Sequence, residues 1–402
     1  MDMDLLKRIQ ALSHEYFEEV VFSRRHLHAA PELSMQEHKT AAFIASRLAE
    51  MGVNFQERVA KTGVVAQIKG KDPSSAMVAL RADMDALPIL ERNRVDYKSA
   101  NPGVMHACGH DVHMASLLGT AKILNALRDQ WKGTVKLIFQ PSEEKYPGGA
   151  LQMIEEGVLD NPRPDAMFGQ HVFPGLQAGK VGVRSGHYMA STDEVYITVK
   201  GKGGHAASPE MNVDPVVIAS HIVVALQQIV SRNATPYTPT VLSFGRIFGD
   251  GQTNVIPDEV KLEGTFRTFD EAWREKAHQR IREVTAFVAQ GMGGDCDVFI
   301  DKGYPFLVND EVLSENFRKH AIAYLGKENV EELELSMTAE DFAYYSQKLD
   351  ACFYRLGVSN IEKGITANLH TSTFDVDEKA LETGMGLMAY VTVQELIVRS
   401  KK

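Results

Sequence analysis

The segment Met105–His113 contains the densest group of metal-binding side-chain types in the sequence. It reads Met-His-Ala-Cys-Gly-His-Asp-Val-His, which places one thiol, three imidazoles and one carboxylate together. Cys thiolate and imidazole nitrogen are ligands that suit Zn²⁺ and neighbouring divalent metals. A turn with a buried thiol and solvated histidines would have the same composition, because free Cys is commonly buried. Taken alone, the segment leaves both interpretations open.

Two adjacent carboxylates, Glu143 and Glu144, directly follow an apolar run at Val135–Phe139 that predicts a strand. Open α/β sheets bind their ligands at the carboxyl ends of strands. Adjacent carboxylates repel each other unless a cation offsets them, so one could bind metal while the other accepts a proton from water. Glu pairs are also common at exposed helix starts, where they complement the helix dipole. The pair alone is therefore weak support for a metal site.

Single histidines and an acidic pair complete the candidates. His171 ends a short apolar run, His370 lies in a late loop, and Asp83 and Asp85 follow the run Met77–Leu80. An isolated His is more often a satisfied surface or core residue than a ligand. Acidic residues at a strand end can bind metal, orient the free nitrogen of a ligating imidazole, or cap a turn. The residues themselves leave these alternatives open.

Apolar periodicity predicts the elements that must position these candidates. Steps of three and four predict a helix over residues 4–22 and another over Glu37–Met51. Buried strands are predicted at Gly63–Ile68, Met77–Leu80 and Val135–Phe139, with a helix Ala115–Arg128 between the last two. Strands that alternate with helices indicate an α/β fold with a mostly parallel sheet and helices on both faces.

A different pattern begins near residue 187. Strands are predicted at Val195–Lys200, Thr240–Phe248, Asp258–Arg267 and Asp297–Ile300, and helices at Pro215–Ser231 and Glu271–Gln290. This order predicts a compact α+β domain at 187–301, inserted into a first domain that is formed by residues 1–186 and 302–402.

Composition restricts the class of partner. The 43 Lys and Arg residues against 53 Asp and Glu residues give a net charge of −10, and no basic stripe is present. Nucleic acids and anionic membranes both require clustered basic residues, so neither is expected as a partner.

The first residues lack the basic and apolar regions of a signal peptide, and no stretch approaches the ~18 apolar residues of a membrane span. Three widely spaced cysteines argue against a disulfide framework, and we expect a reducing cytoplasm.

Taken in order, these segments resemble the M20 family of metallopeptidases and amidohydrolases. The resemblance is greatest to its aminoacylase-like branch, which includes hippurate hydrolases and auxin-conjugate hydrolases. The matching segments span nearly the whole chain: 24–32 (RRHLHAAPE), 80–88 (LRADMDALP), 106–111 (HACGHD), 140–144 (QPSEE), 203–209 (GGHAASP), 253–257 (TNVIP), 264–267 (GTFR), 340–342 (EDF) and 369–370 (LH).

The resemblance implies a binuclear metal site. Its ligands would be Cys108, which is shared by the two ions, with His110, Glu144, His171 and His370. Glu143 would be the general base that activates the attacking water and then protonates the leaving amine. Asp85 would lie behind the site and orient a ligand. Most M20 peptidases have His where this chain has Asp83, but the aminoacylase-like branch shares the present pattern, which favours the Cys-centred set.

The resemblance also implies roles for the inserted domain, which in this family mediates dimerisation and covers the active site. His205 would contact the oxyanion of the tetrahedral intermediate, often across the dimer. Asn254 and Arg267 resemble positions that hold the substrate carboxylate. A homodimer through the inserted domain, or a higher oligomer, is therefore expected.

Three functions are compatible with these residues. The first is metal-dependent hydrolysis of N-acyl amino acids, with acetyl, benzoyl or similar acyl groups, to a carboxylate and a free amino acid. The second is a dipeptidase or carboxypeptidase of the same family. The third, a non-catalytic metal-binding protein, is disfavoured because the base Glu143 is present. The thiolate favours Zn, while the imidazole and carboxylate ligands leave Mn, Co and Ni open.

Overall fold

The computed structural model describes residues 3–401 and divides the chain into two compact units. The first unit contains the chain up to Tyr188, Val308–Leu335 and the chain from Asp341 onward. The second contains Met189–Leu307 and Ser336–Glu340. These boundaries lie a few residues from the predicted 187–301, and nothing in the sequence pattern indicated the short Ser336–Glu340 segment.

The ten α-helices are α1 (Met3–Glu15), α2 (Phe17–Ala29), α3 (His38–Glu50), α4 (His110–Ala126), α5 (Gly149–Glu155), α6 (Pro215–Gln228), α7 (Glu271–Gly291), α8 (Glu311–Leu325), α9 (Ala343–Ser346) and α10 (Ala380–Arg399), as counted over the described residues.

Sixteen strands lie in the same part of the chain: β1 (Asn54–Val59), β2 (Gly63–Lys69), β3 (Met77–Asp83), β4 (Thr134–Gln140), β5 (Ala166–Gln177), β6 (Val181–Val183), β7 (Gly186–Met189), β8 (Asp193–Lys200), β9 (Gly204–His205), β10 (Thr240–Phe248), β11 (Val255–Ile256), β12 (Glu259–Thr268), β13 (Asp295–Lys302), β14 (Leu307–Asn309), β15 (Val330–Glu332) and β16 (Ala351–Ser359).

The first unit is built on an eight-stranded sheet of order β1-β2-β4-β3-β5-β16-β6-β15. The central strands β4, β3, β5 and β16 are parallel to one another. The strands β1 and β2 are antiparallel additions at one side. The predicted class, an α/β fold with a mostly parallel sheet, is confirmed.

Both faces of this sheet are covered by helices. On β3, Val78 and Leu80 belong to the main hydrophobic core, to which α4 and α10 also contribute. The alternate residue Arg81 lies on the opposite face and bonds Gln140 and Asp341, and Asp341 in turn accepts from the backbone of α5. This two-residue alternation is what a sheet buried on both sides requires.

Helix α4 begins five positions earlier than predicted, at His110 rather than Ala115. Gly109 makes this start possible, because it adopts φ of +79° and a Cβ there would lie 2.5 Å from Val172 Cγ2. Nearly every residue of the helix is buried. The long helix predicted at 4–22 is instead two helices, α1 and α2, separated at Tyr16.

The second unit contains a four-stranded antiparallel sheet of order β10-β12-β8-β13. Its own core joins Val195, Ile197 and Val199 of β8 to apolar residues of α6 and α7. Both helices have side-chain N-caps, Asp214 for α6 and Asp270 for α7.

Among the described residues, one helical segment, Pro215–Asn233, is apolar and long enough to cross a membrane by length and composition alone, with a mean hydropathy of 1.3. The expectation that no stretch approaches a membrane span was wrong for this segment. Its residues Ile218, Ile222, Leu226 and Ile229 are buried in the core of the second unit. The segment thus has the composition of a core helix that packs one face.

Candidate metal centre

The five predicted metal ligands lie together at one edge of the first unit's sheet. Cys108 precedes α4 and His110 is the first residue of α4, Glu144 follows β4, His171 lies in β5, and His370 lies in the loop before α10. The strands β4 and β5 both flank β3, so the sheet order brings these distant parts of the chain to one place.

The thiol of Cys108 is the common member of two ligand clusters. Its Sγ lies 3.5 Å from His171 Nε2 and 3.3 Å from His370 Nε2. One cluster consists of Cys108, His110 and His171, and the other of Cys108, Glu144 and His370, with the ligand atoms of each within 4.8 Å of one another. Two clusters that share one thiol are the arrangement expected of a bridged pair of ions.

Hydrogen bonds fix which nitrogen each buried imidazole presents to the cluster. His110 Nδ1 donates to the carbonyl oxygen of Asp85 (2.8 Å), and His171 Nδ1 donates to the carbonyl oxygen of Val172 (2.7 Å). In both rings the proton on Nδ1 leaves the Nε2 lone pair available for coordination. The backbone therefore sets the tautomer that a ligand needs.

The residues fit divalent cations by two further observations. His110 Nε2 and Glu144 Oε1 are buried and have no hydrogen-bond partner among the described residues. The cluster is also rich in negative charge. Burial, with Glu144 and Glu143 nearby, raises the pKa of the Cys108 thiol, whereas Asp83, Asp85 and Glu144 overcome the effect of burial and raise the pKa of His110 to about 10. Bound cations would replace these protons.

The carboxylate of Asp85 holds the loop that carries the two glutamates. Its Oδ1 accepts from the backbone N–H of Glu143 (2.9 Å), and its Oδ2 accepts from the N–H of Glu144 (3.0 Å) and the hydroxyl of Ser34 (2.6 Å). Because its backbone carbonyl also binds His110, Asp85 contacts three candidate site residues. It lies behind the cluster, where the resemblance implied a positioning residue.

Glu37 is a second support of this loop, which sequence reasoning did not identify. It is fully buried and accepts from the backbone of Ser142 (2.9 Å) and the hydroxyl of Thr62 (2.6 Å). Ser142 has a φ of +53°, a conformation that a residue other than glycine rarely adopts. A non-glycine residue in this region immediately before Glu143 is typical of a functional turn that its surroundings hold in place.

Asp83 and His113 form a buried pair behind the ligands. His113 Nε2 accepts from the backbone N–H of Val172 (2.8 Å), so its proton lies on Nδ1 and is donated to Asp83 Oδ1. The other oxygen of Asp83 accepts from Arg81 (2.6 Å). Both His113 nitrogens and both Asp83 oxygens are therefore engaged, which argues for a structural role.

Asp111 faces away from the ligand clusters. Its Oδ2 accepts from Arg24 Nε and His28 Nδ1, both at 2.8 Å, and these contacts hold its pKa below the usual range although burial alone would raise it. Arg24 and His28 belong to the conspicuous 24–32 segment, so this segment anchors the start of α4. The segment 24–32 was recognised in the sequence, but its contact with Asp111 was not.

Arg355 is a further charged residue at the site that sequence reasoning missed. It lies on β16 in register with His171 of β5 and is 6% exposed. Burial and the neighbouring Arg355 charge lower the pKa of His171. The only available signal was one basic residue within the apolar run 351–358.

His205, Asn254 and Arg267 all lie in the second unit. His205 (β9) pairs with Val255 (β11), and the carbonyl of Asn254 accepts from Ala206, so the first two are neighbours. His205 Nδ1 accepts from the N–H of Ala207 (3.0 Å), which places the ring proton on Nε2 as a donor. Arg267 lies on β12, half-buried, and burial lowers the pKa of its guanidinium. Their predicted roles toward substrate stay predictions.

The sequence matches the model of "Peptidase family M20/M25/M40" over residues 79–394. It is 43% identical over 303 residues to an N-acyl-L-amino acid amidohydrolase from Geobacillus stearothermophilus (75% of this chain, 81% of the relative). It is 38% identical over 385 residues to thermostable carboxypeptidase 2 from Saccharolobus solfataricus (95% and 96%). A solved dinuclear metal-binding M20 peptidase from Bacillus subtilis is 36% identical, with a TM-score of 0.83 and coverage of 96% of this chain and 99% of that one.

Proposed function

Because the chain belongs to peptidase family M20/M25/M40, we propose that it hydrolyses the amide bond of N-acyl amino acids and releases a carboxylate and a free amino acid. The observation that carries this proposal is the Cys108 thiol shared by two ligand clusters, with Glu143 beside the ligand Glu144. At the level of enzyme class, the prediction of a metal-dependent amidohydrolase is confirmed by the family and its relatives.

The residues that would hold two divalent cations are Cys108, His110, Glu144, His171 and His370. The chemistry that such cations supply is polarisation of the scissile carbonyl and a water molecule of lowered pKa. Zn, Mn, Co and Ni all suit this ligand set. Asp85 keeps His110 and the glutamate loop in place through the three contacts described above.

Glu143 is assigned the proton transfer. It is buried, and its carboxylate lies within 4.8 Å of the ligand atoms of His110 and Glu144. It takes one proton from water as the water oxygen attacks the carbonyl carbon. It then gives that proton to the amide nitrogen as the C–N bond breaks, so that the carboxylate product and the free amine leave.

The first test is Glu143→Gln, which keeps the shape of the side chain and removes its basicity. Chelator-stripped enzyme would be reloaded with Zn, Mn or Co and assayed for amino-acid release from N-acetyl and N-benzoyl amino acids. We expect the variant to bind metal normally and to lose about 10²–10⁴-fold in kcat. Glu362→Gln, at an exposed position of the first unit, is the matched control and should retain activity.

Peptides with a free amino terminus distinguish the second candidate function, which the carboxypeptidase relative favours. An amidohydrolase should cleave the acylated substrate and spare the free dipeptide of the same side chains. Cleavage of the dipeptide alone would replace the proposed function by a peptidase activity.

The expected homodimer also remains a proposal, as does the cytoplasmic location. Helix α6 exposes three apolar side chains, Val216, Val217 and Val224, and the last is 72% exposed. An apolar helical surface of this kind is suited to a second copy of the chain. We expect Val224→Glu to shift the protein toward monomer in sedimentation velocity experiments, whereas Glu362→Gln should leave the oligomeric state unchanged. A monomeric wild-type protein would exclude this proposal.

A further inference from the structure

The carboxylate of Glu37 joins three separate turns of the first unit. Its Oε1 accepts from the backbone N–H groups of Met35 (3.0 Å) and Ser142 (2.9 Å). Its Oε2 accepts from the hydroxyl of Thr62 (2.6 Å). The first of these turns precedes α3, the second precedes β2 and the third follows β4. One fully buried side chain therefore links three places that are far apart in the sequence.

The backbone of all three turns has an unusual conformation. Met35 has a φ of +63° and Ser142 a φ of +53°, and Lys61, immediately before Thr62, has a φ of +77°. Residues other than glycine rarely adopt this left-handed region. They keep it where the surrounding contacts hold the backbone in place. Glu37 supplies such a contact to each of the three turns.

Two buried carboxylates divide the support of the loop that carries the glutamates. The backbone N–H groups of the two glutamates donate to Asp85, and that of Ser142, immediately before Glu143, donates to Glu37. The backbone carbonyl of Asp85 also accepts from the candidate ligand His110. Within the described residues, the side-chain bonds of Glu37 go to three residues that are not candidate ligands. Glu37 thus supports the part of the loop that carries the base.

We propose that Glu37 is a positioning residue for the general base, which sets the place of Glu143 through the backbone of Ser142 and leaves metal binding to other residues. This inference rests on the proposed hydrolysis, in which Glu143 transfers the proton. Misplacement of a reacting group by about 1 Å can cost about 10²-fold in rate. Loss of this support therefore lowers kcat, while the ligand set keeps its affinity for metal.

Two substitutions separate the reach of the Glu37 side chain from its charge. In Glu37→Gln the amide oxygen can accept from both N–H groups, and the amide nitrogen can donate to the Thr62 hydroxyl, which is also an acceptor. Glu37→Asp keeps the charge, but its carboxylate ends one bond of ~1.5 Å short of the three turns. We expect Glu37→Gln to stay within about threefold of wild type in kcat and Glu37→Asp to lose about 10–100-fold.

The full-length, metal-loaded proteins would be compared with the N-acetyl or N-benzoyl amino acid that wild type hydrolyses fastest. Competition with a chelating dye would give the metal affinity of each protein. We expect Glu37→Asp to keep the metal affinity and the KM of wild type. Parallel losses of kcat and metal affinity would show that Glu37 acts through the metal centre and would overturn the proposal. So would a loss of kcat in Glu37→Gln as large as that in Glu37→Asp, since charge rather than position would then matter.

Glycine substitutions in the Glu37→Asp background separate positioning of the base from overall stability. Ser142→Gly and Lys61→Gly each relieve one left-handed residue, because glycine adopts positive φ without strain. We expect Ser142→Gly to recover about threefold or more in kcat and Lys61→Gly to recover none. Recovery that is equal in the two, or absent from both, would contradict the proposal. A wild-type protein that hydrolyses no N-acyl amino acid would overturn the proposed function, and this inference with it.

Discussion

Each buried imidazole in the metal cluster is held through one nitrogen so that the other faces the thiol. For His110 the holding group is the carbonyl of Asp85, and for His171 it is the carbonyl of Val172. The protein thus fixes which nitrogen of each ring faces the cluster before any metal arrives, which reduces the reorganisation that binding requires. Asp85 combines this function with support of the Glu143–Glu144 backbone.

Asp85→Asn tests this positioning role. The amide keeps the size of the side chain but can offer only one oxygen where two N–H groups and one hydroxyl now donate. We expect a loss of about 10–100-fold in metal affinity, the usual effect of changing a residue that supports a ligand. Competition with a chelating dye measures this affinity directly. Unchanged affinity and activity would contradict a positioning role, and Asp72→Asn, at an exposed surface turn, provides the control.

For individual residues, the sequence indicated which side chains could bind metal but not how those side chains are arranged. The ligand types were visible in the segments around Cys108, Glu144 and His370, because chemistry restricts which side chains can serve. Glu37 and Arg355 were not found, since their importance comes from contacts with residues more than a hundred positions away. Such contacts leave no local pattern in a single sequence.

At the scale of the elements, one buried ion-pair network in the second unit joins the start of β8, helix α7 and the segment that follows β13. Asp193, at the start of β8, accepts from Arg274 of α7 (Nε to Oδ2, 3.0 Å) and from His278 (2.7 Å). Arg274 also donates to the carbonyls of Thr192 and Gly303, which lie on the two chain segments that enter and leave the unit. The network therefore fixes where the inserted fold begins and ends.

Asp193→Asn should destabilise the second unit by about 3–5 kcal/mol, because it leaves Arg274 buried without its charged partner. Burial alone would raise the pKa of Asp193, but hydrogen bonds from His278 and Arg274 hold it below the usual value. A lowered folded-state pKa gives stability that is present above about pH 4, where the unfolded carboxyl ionises, and is lost as the pH falls further.

Urea unfolding of wild type and Asp193→Asn at several pH values measures this difference. The gap in unfolding free energy should be largest near pH 7 and should shrink toward pH 3. A difference in unfolding free energy that stays constant with pH would show that the network stabilises the unit by packing and neutral hydrogen bonds rather than by charge. Asp297→Asn, at an exposed strand position of the same unit where the carboxylate pairs with Lys200 at the surface, is the control.

The long, strongly periodic elements could be predicted, and the short polar ones could not. The core strands β2, β3 and β4 and the helices α6 and α7 lie within a few residues of their predicted positions. Strand β1 was missed because it is mostly polar and exposed at the sheet edge. The break at Tyr16 was missed because the apolar spacing of α1 and α2 continues across it.

At the scale of the whole molecule, each unit has a hydrophobic core of its own among the described residues. The five candidate metal ligands all belong to the first unit. A ligand that binds only the folded state stabilises the unit it binds, by about 2.7 kcal/mol at one hundred times its Kd. Because the candidate metal ligands all lie in the first unit, bound metal should stabilise that unit more than the second.

We expect calorimetric unfolding to show two transitions, of which chelation lowers one by several degrees. The transition that moves should be that of the first unit, identified because Asp193→Asn shifts the other one. In Cys108→Ser, which loses the shared ligand, the chelator should have little further effect. A single transition, or two that move together by the same amount, would contradict independent coupling of metal to one unit.

The strand order of the first unit has a consequence for synthesis on the ribosome. Strand β16 lies in the middle of the sheet between β5 and β6, yet it is encoded by residues 351–359, after the whole second unit. At about 5–20 residues per second, seconds pass during which β5 and β6 exist without their central partner and present bare edges. The second unit can close in that interval, whereas the sheet of the first unit waits for β16. His370 arrives later still, so a nascent chain acquires its complete metal cluster only after the whole second unit has been made.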